Sequence, residues 1–161
     1  MRSFQLVGIN PGQFESLFDC SDAELHARNI RRVRADADFG FPCRVCLEDA
    51  RVGDELLLLS FQHQPAAGPY RATGPIYVRK GARFKVMPAG QVPPYVSRRQ
   101  MSLRAYDADD LMVAAEVVEG SEVAAHLTLM FADPNIRYVH LHNARRGCFS
   151  CAALPLWNQE T

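Results

Sequence analysis

Short apolar runs and alternating apolar and polar positions dominate the chain after residue 29 and predict β-strands. The alternation is clearest over residues 101–106, where apolar side chains fall on every second position. Residues 55–61 include four consecutive leucines, which is typical of a strand covered on both faces. Neighbouring strands predict two hairpins, over residues 101–118 and 136–154. Further strands are predicted over residues 3–9, 30–35 and 76–79.

Three short helices are predicted between the strands. Asn10 precedes Pro11 and is placed to cap the first, while Ser21 and Glu24 have the spacing of a capping box at the start of the second. The third covers residues 121–132, with Ser121 as its cap and Pro134 beyond its end. Its apolar residues have helical spacing and predict a buried face: Val123, Leu127, Met130 and Phe131.

The order of these elements predicts an α+β fold. Strands outnumber helices and come in adjacent antiparallel pairs rather than in βαβ units. We expect a single domain over residues 1–161, with one mainly antiparallel sheet that holds both hairpins and strand 55–61. A few short helices should pack on that sheet.

The charge balance and the lack of long apolar segments argue against nucleic-acid and membrane partners. The 161 residues carry 18 Lys plus Arg and 18 Asp plus Glu, so the formal net charge is zero and no net field attracts a nucleic-acid backbone. The N-terminus has no apolar segment typical of secretion, and no run of about 18 apolar residues occurs. We therefore expect a cytoplasmic protein without nucleic-acid or membrane partners. A small anionic ligand and a second copy of the chain, forming a homodimer, stay open as partners.

Four of the five cysteines form two Cys-x-x-Cys pairs, Cys43 with Cys46 and Cys148 with Cys151. This spacing lets both sulfurs of a pair reach one zinc ion at about 2.3 Å. Pro42 favours the start of a helical turn, which would place Cys43 and Cys46 on the same side. Cys148 and Cys151 are predicted on a strand, where residues three apart face opposite sides unless the chain bends. A reducing cytoplasm would keep all five cysteines as thiols.

The last hairpin adds histidines to the candidate ligands. A three-residue loop closed by Gly147 would place His142 opposite Cys148 and His140 diagonal to it, on the same face as Tyr138. An imidazole there could ligate zinc or act as a base toward the thiol. The alternative interpretation is that both histidines are solvated residues on the wet face of an antiparallel sheet.

A second candidate site is a pocket for a small anion. Arg104 and Tyr106 lie on the same predicted strand face, and Arg71 follows Tyr70 in a loop. Asn143, in the last hairpin, joins these residues as a candidate ligand-binding group. An exposed polar sheet face explains Arg104 and Tyr106 equally well.

Stretches along nearly the whole chain resemble a bacterial family catalogued as domain of unknown function 1203. The stretches that carry the resemblance are 41–50, 56–59, 69–78, 102–107, 131–134, 138–140, 143–145 and 147–149. The resemblance implies a free-standing bacterial protein made of this one domain and brings no assigned activity. Five candidate residues fall on the family's pattern: Cys43, Cys46, His140, Asn143 and Cys148. His142 and Cys151 depart from this pattern, so the resemblance favours neither of them as a zinc ligand.

Three hypotheses follow, and both an enzyme and a non-enzymatic protein stay open. The first is a binding or accessory protein with a structural or regulatory zinc site. Its predicted ligands are Cys43, Cys46, Cys148 and His140. Such a closed set leaves no position for substrate, which indicates structure rather than catalysis. The second is a thiol redox protein or enzyme in which Cys43, activated at a helix start, is the nucleophile and Cys46 resolves it. The third is the small-anion pocket, with the cysteines packed as core residues.

Overall fold

The computed structural model describes residues 2–157, which form two five-stranded sheets. Sheet 1 has the strand order β1-β10-β9-β7-β8, and sheet 2 has the order β2-β5-β6-β3-β4. The strands of sheet 1 are β1 (Ser3–Val7), β7 (Gln100–Tyr106), β8 (Met112–Glu119), β9 (Tyr138–Asn143) and β10 (Phe149–Leu156). Those of sheet 2 are β2 (Arg31–Arg34), β3 (Pro42–Cys43), β4 (Glu48–Asp49), β5 (Glu55–Gln64) and β6 (Ala72–Arg79).

Both sheets are antiparallel apart from one parallel pairing between β3 and β6, so the predicted α+β class is confirmed. The prediction that one sheet would hold strand 55–61 together with both hairpins is wrong. Strand β5 pairs instead with β2 and with β6. The pairing with β6, the next strand along the chain, follows the rule that short connections favour neighbours in sequence.

The helices are short and lie at the ends of strands. They are α1 (Asp22–Ala27), α2 (Pro94–Ser97) and α3 (Val123–Met130), with 3-10 turns at Pro11–Gln13, Glu15–Asp19 and Gly120–Glu122. The capping box of Ser21 and Glu24 is formed, and Asn10 accepts a hydrogen bond from the Gly12 N–H. Ser121 is not the cap of α3, because the chain first makes the 3-10 turn. Along residues 2–157 no helix has the length and apolar character needed to cross a membrane.

Two apolar clusters lie on different sides of the sheets. In the first, one face of sheet 1 packs against α3, whose Val123, Leu127 and the following Phe131 are buried as the sequence predicts. In the second, alternate residues of β5 and β6 pack against α1 and the N-terminal 3-10 turns. Phe149 of β10 belongs to this second cluster, so the opposite face of sheet 1 faces sheet 2.

The turn at residues 44–47 lies where the two sheets meet. Gly8, just after β1, has its Cα so close to this turn that an added Cβ would lie 2.2 Å from the Val45 carbonyl oxygen. The Ile9 N–H donates a hydrogen bond to the Arg44 carbonyl at 2.9 Å. The end of β1 therefore fixes the position of the turn that carries Cys43 and Cys46.

Candidate metal centre

The face of sheet 1 that looks toward sheet 2 is polar and aromatic on two adjacent strands. Cross-strand pairing sets Ser102 opposite His142, Arg104 opposite His140 and Tyr106 opposite Tyr138. Paired residues of this kind lie side by side on one face of a sheet, whereas Met101, Leu103 and Ala105 point into the core on the other. The alternation in the sequence therefore assigns the residues of β7 to the correct faces of the sheet.

A third histidine reaches this face from sheet 2. His63 lies near the end of β5, where a bulge between Phe61 and Gln64 inserts one extra residue opposite β6. Bulges bend a strand and redirect its side chains. The ring of His63 then lies against His142, with 4.9 Å between ring centroids, and against His140 at 6.3 Å.

The three imidazoles form a compact set of nitrogen donors. One ligand nitrogen from each of His63, His140 and His142 lies within 4.8 Å of the other two. Among residues 2–157, no other group of three or more His, Cys, Asp or Glu meets this condition. Nδ1 of His63, Nδ1 of His140 and Nε2 of His142 are buried and have no hydrogen-bond partner among residues 2–157. Buried polar atoms normally have a partner, so a compact histidine cluster that holds three such nitrogens fits a metal ion.

Neighbouring groups orient the imidazoles. Nδ1 of His142 donates a hydrogen bond to the Gly147 carbonyl oxygen at 2.9 Å, which leaves Nε2 with its lone pair free. The ring of Phe149 stacks on His63, with 5.4 Å between centroids and 7° between planes. The same ring meets His140 and His142 edge to face, so one phenyl group forms a common wall for the cluster.

The cluster is held in its neutral form. Burial lowers the pKa of His140 to about 3 and that of His142 to about 4, and neighbouring positive charges add to the effect. Burial and the Arg104 charge also lower the pKa of His63. A neutral imidazole is the form that binds a metal, so no proton has to be displaced from these rings at neutral pH.

Part of the predicted anion pocket surrounds the same cluster. Arg104 is half-buried beside the histidines and, within the described chain, makes no ion pair; its Nε donates to Ser102 Oγ at 3.3 Å. Tyr106 stacks on Tyr138 and meets the ring of Tyr70 edge to face at 5.9 Å. Tyr70 thereby brings its exposed neighbour Arg71 to the same side of the molecule.

Cys43 and Cys46 lie together in the second apolar cluster rather than at a helix start. Pro42 and Cys43 pair with β4 as a short strand, so the helical turn predicted at Pro42 does not form, and residues 44–47 make the turn instead. Cys43 Sγ accepts a hydrogen bond from the Arg79 N–H at 3.3 Å. Interaction with the Cys46 thiol lowers the pKa of Cys43, and the same interaction together with burial raises that of Cys46.

Cys148 lies apart from the histidines because the last hairpin has a different register from the predicted one. Phe149, not Cys148, is opposite His142, and an irregularity between Phe149 and Cys151 shifts the pairing that follows. Cys148 instead meets the turn at 44–47 through Arg44, whose Nη2 donates to Cys148 Sγ at 3.1 Å. The zinc hypothesis requires this turn to lie beside the hairpin, and it does, with an arginine rather than a cysteine making the contact.

The four zinc ligands predicted from the sequence are therefore not gathered at one point. His140 belongs to the compact histidine set, and Cys43, Cys46 and Cys148 do not. Cys151 is buried in the first apolar cluster, where burial raises its pKa to about 12. Asn143 lies beside Cys148, with its Nδ2 donating to the sulfur at 3.7 Å, rather than with Arg104 and Tyr106.

His63 is the member of the site that the sequence analysis missed. Its signal is weak, since it stands alone two residues beyond the apolar run of β5. The bulge that extends the strand to Gln64 leaves no local pattern that identifies it. Pairing of His63 with the His-x-His of β9 requires knowledge of how the two sheets pack.

Comparisons with known proteins identify the family of the chain. Neither the curated proteins nor the solved structures provide a match to it. A family model described as "Protein of unknown function (DUF1203)" matches residues 40–153, a span that includes His63, His140, His142 and all the cysteines except Cys20. The match covers well over half of the chain and agrees with the resemblance seen in the sequence. The chain belongs to the DUF1203 family.

Proposed function

We propose that the protein binds a divalent transition metal of the zinc class through His63, His140 and His142. The observation that carries the proposal is the convergence of three histidines from two different sheets, each of which has a buried nitrogen without a partner among residues 2–157. Zinc bonds to histidine at about 2.0–2.1 Å, so binding would draw the three rings closer together. This metal is the one that the sequence suggests, with His140 retained as a ligand and the cysteines replaced by two other histidines.

Three protein ligands leave a fourth position for a bound molecule. Sites of this composition are typical of catalytic rather than structural zinc, because a structural site is closed by four protein ligands. Arg104 lies beside the cluster with no acidic partner among the described residues, and a free guanidinium favours an anionic group. We therefore assign the fourth position to an oxygen of a small anionic ligand, which the metal would polarise as a Lewis acid.

The test is binding of cobalt(II), which reports its ligands in its visible spectrum. We expect one cobalt ion per chain, a tetrahedral or five-coordinate spectrum without thiolate-to-cobalt charge transfer, and displacement by zinc. His63→Gln should weaken binding at least about tenfold, whereas the exposed His26→Gln should leave it unchanged. Thiolate charge-transfer bands, or equal binding by wild type and His63→Gln, would contradict the proposal.

The Cys43 and Cys46 pair supports a second candidate function, a dithiol that is oxidised by a disulfide. The observation that favours it is the position of both thiols in one apolar cluster, where Cys43 Sγ accepts from the Arg79 N–H at 3.3 Å and interaction with Cys46 lowers the pKa of Cys43. The thiolate of Cys43 would attack the external disulfide and release one thiolate, and Cys46 would then displace the second, leaving an internal disulfide. Both thiols are buried, so oxidised glutathione should react with them in the native protein only if the turn opens. A mass loss of two hydrogen atoms per chain, blocked by Cys43→Ala, tests it.

A further inference from the structure

A cleft of about 520 Å³ opens beside the last hairpin, and arginine is the commonest residue in its lining. This volume lies within the range of small-molecule sites. Five of its lining residues are arginines: Arg44, Arg98, Arg99, Arg145 and Arg146. Glu119 is the acidic residue in the lining, and it accepts a hydrogen bond from Gln100. The cleft therefore presents a positive surface that the histidine cluster does not share.

The arginines of the cleft differ in how their charges are balanced. Arg99 makes a two-point contact with Asp49, and Arg98 lies 3.7 Å from the same carboxylate. Over residues 2–157, Arg145 and Arg146 make no ion pair. These two exposed side chains are free to meet a ligand that enters from solvent.

Arg44 is the group that most clearly requires a negative partner. It is only 1% exposed, yet within residues 2–157 its guanidinium contacts no carboxylate. Its N–H groups donate hydrogen bonds to the Phe149 carbonyl oxygen at 2.7 Å, the Pro42 carbonyl oxygen at 2.6 Å and Cys148 Sγ at 3.1 Å. A buried charge is normally paired, so Arg44 favours a negatively charged group in the cleft that it lines.

Cys148 lies at the wall of this cleft, held by two donors. Its sulfur accepts from Arg44, and Asn143 Nδ2 approaches it at 3.7 Å. Unlike Cys43 and Cys151, it is not part of an apolar cluster. A nucleophilic sulfur thus lies among cationic side chains in a cavity large enough for a small molecule.

We infer that this cleft binds small electrophiles that carry a carboxylate or phosphate group. Arg145 and Arg146 hold the anionic group, and Cys148 forms a covalent bond with the reactive carbon. The inference does not depend on the metal centre, since the cleft shares no lining residue with the three histidines. In the reaction a sulfur–carbon bond forms, the leaving group departs with the electrons of its bond to carbon, and the thiol proton passes to solvent.

The experiment compares iodoacetate, which is anionic, with neutral iodoacetamide of nearly the same size. Native protein is treated with each reagent, and modification of Cys148 and of Cys20 is followed by peptide mass spectrometry. Cys20 is partly exposed and lies outside the cleft, so it serves as an internal reference. We expect the ratio of the iodoacetate rate to the iodoacetamide rate to be roughly tenfold higher at Cys148 than at Cys20.

Charge variants and competing anions complete the test. Arg145→Gln with Arg146→Gln should bring the ratio at Cys148 down to that at Cys20, because the anionic reagent alone loses its charge partners. The matched control, Arg28→Gln with Arg31→Gln, removes two charges outside the cleft and should have no effect. Inorganic phosphate and acetate should each slow modification of Cys148 alone, and the stronger competitor identifies the preferred anionic group. Equal ratios at the two cysteines, or no reaction of native Cys148 with either reagent, would overturn the inference.

Discussion

The cysteine pair of the 44–47 turn and the histidine cluster are both compact groups of metal-binding side chains, but they are built in opposite ways. Cys43 and Cys46 are three residues apart, and both free thiols lie in one apolar cluster, where Arg79 donates to each sulfur. His63, His140 and His142 come from two sheets, and each keeps one buried nitrogen without a partner. Both cysteine sulfurs have hydrogen-bond partners within the fold, whereas one nitrogen of each histidine has none among residues 2–157.

This difference shows why the spacing of Cys residues in the sequence does not locate the candidate metal centre of this protein. A Cys-x-x-Cys motif supplies two donors, and a metal requires further donors nearby, which the fold does not bring to this turn. The histidine cluster has three donors around one point and lacks any local motif that includes His63. Unsatisfied buried donors therefore identify the candidate metal centre better than the motif does.

The largest effect that would test this comparison is stabilisation by zinc. A ligand present at 1,000 times its dissociation constant raises the free energy of unfolding by about 4 kcal/mol. We expect zinc to raise the melting temperature of wild type and of a Cys43→Ser, Cys46→Ser variant, but not of His140→Gln. The measurement is thermal unfolding with and without chelator. If zinc stabilises His140→Gln but not the Cys43→Ser, Cys46→Ser variant, the cysteines rather than the histidines bind the metal.

Acid should destabilise the metal-free protein through the histidine cluster. The pKa of His140 in the folded state is about 3, below its unfolded value of about 6.5, so between these pH values the unfolded chain binds the extra proton. Stability is therefore fully present above pH 6.5 and falls as the pH decreases, by about 2 kcal/mol for this histidine between pH 7 and 5. Arg104 of β7, together with His63 of β5 and His142, faces the ring and acts in the same direction.

Urea unfolding at pH 7, 6 and 5 measures this dependence. His140→Gln should reduce the loss of stability between pH 7 and 5 by about 2 kcal/mol relative to wild type. His26→Gln, on the exposed face of α1, should leave the wild-type dependence in place. Carboxylates contribute little in this window, because they ionise at lower pH. An unchanged dependence in His140→Gln would show that the cluster is not held neutral by burial.

Cys43→Ala should separate packing from metal binding. The variant leaves the Arg79 N–H without its sulfur acceptor and opens a small cavity in the second apolar cluster. We expect a loss of about 1–2 kcal/mol in the free energy of unfolding, with unchanged zinc affinity. Cys20→Ala, at a partly exposed cysteine, should change stability by less than about 0.5 kcal/mol. A loss of zinc affinity in Cys43→Ala would show that the cysteine pair takes part in the same metal site as the histidine cluster.

The sequence predicts the elements of this fold better than their arrangement. Alternation identifies both faces of β7, and capping residues locate α1, because these signals depend on positions close together in the chain. The placement of β5 in a second sheet and the bulge before Gln64 depend on tertiary packing. The irregular pairing at Phe149 removes Cys148 from the histidines, and no short pattern in the sequence specifies it.

Arg104→Gln should produce the smallest effect and test how the charge beside the cluster is used. A guanidinium next to the histidines repels a cation, so its removal should raise the affinity for zinc alone by a few-fold, about 0.5–1 kcal/mol. The same change should weaken the binding of an anionic fourth ligand such as acetate to the zinc-loaded protein. Arg104→Lys, which keeps the charge, is the matched control and should behave like wild type in the first measurement. Calorimetric titration of each variant with zinc, followed by acetate, measures both affinities. If Arg104→Gln instead weakens zinc alone, the guanidinium positions the imidazoles, and the assignment of the fourth position to an anion is wrong.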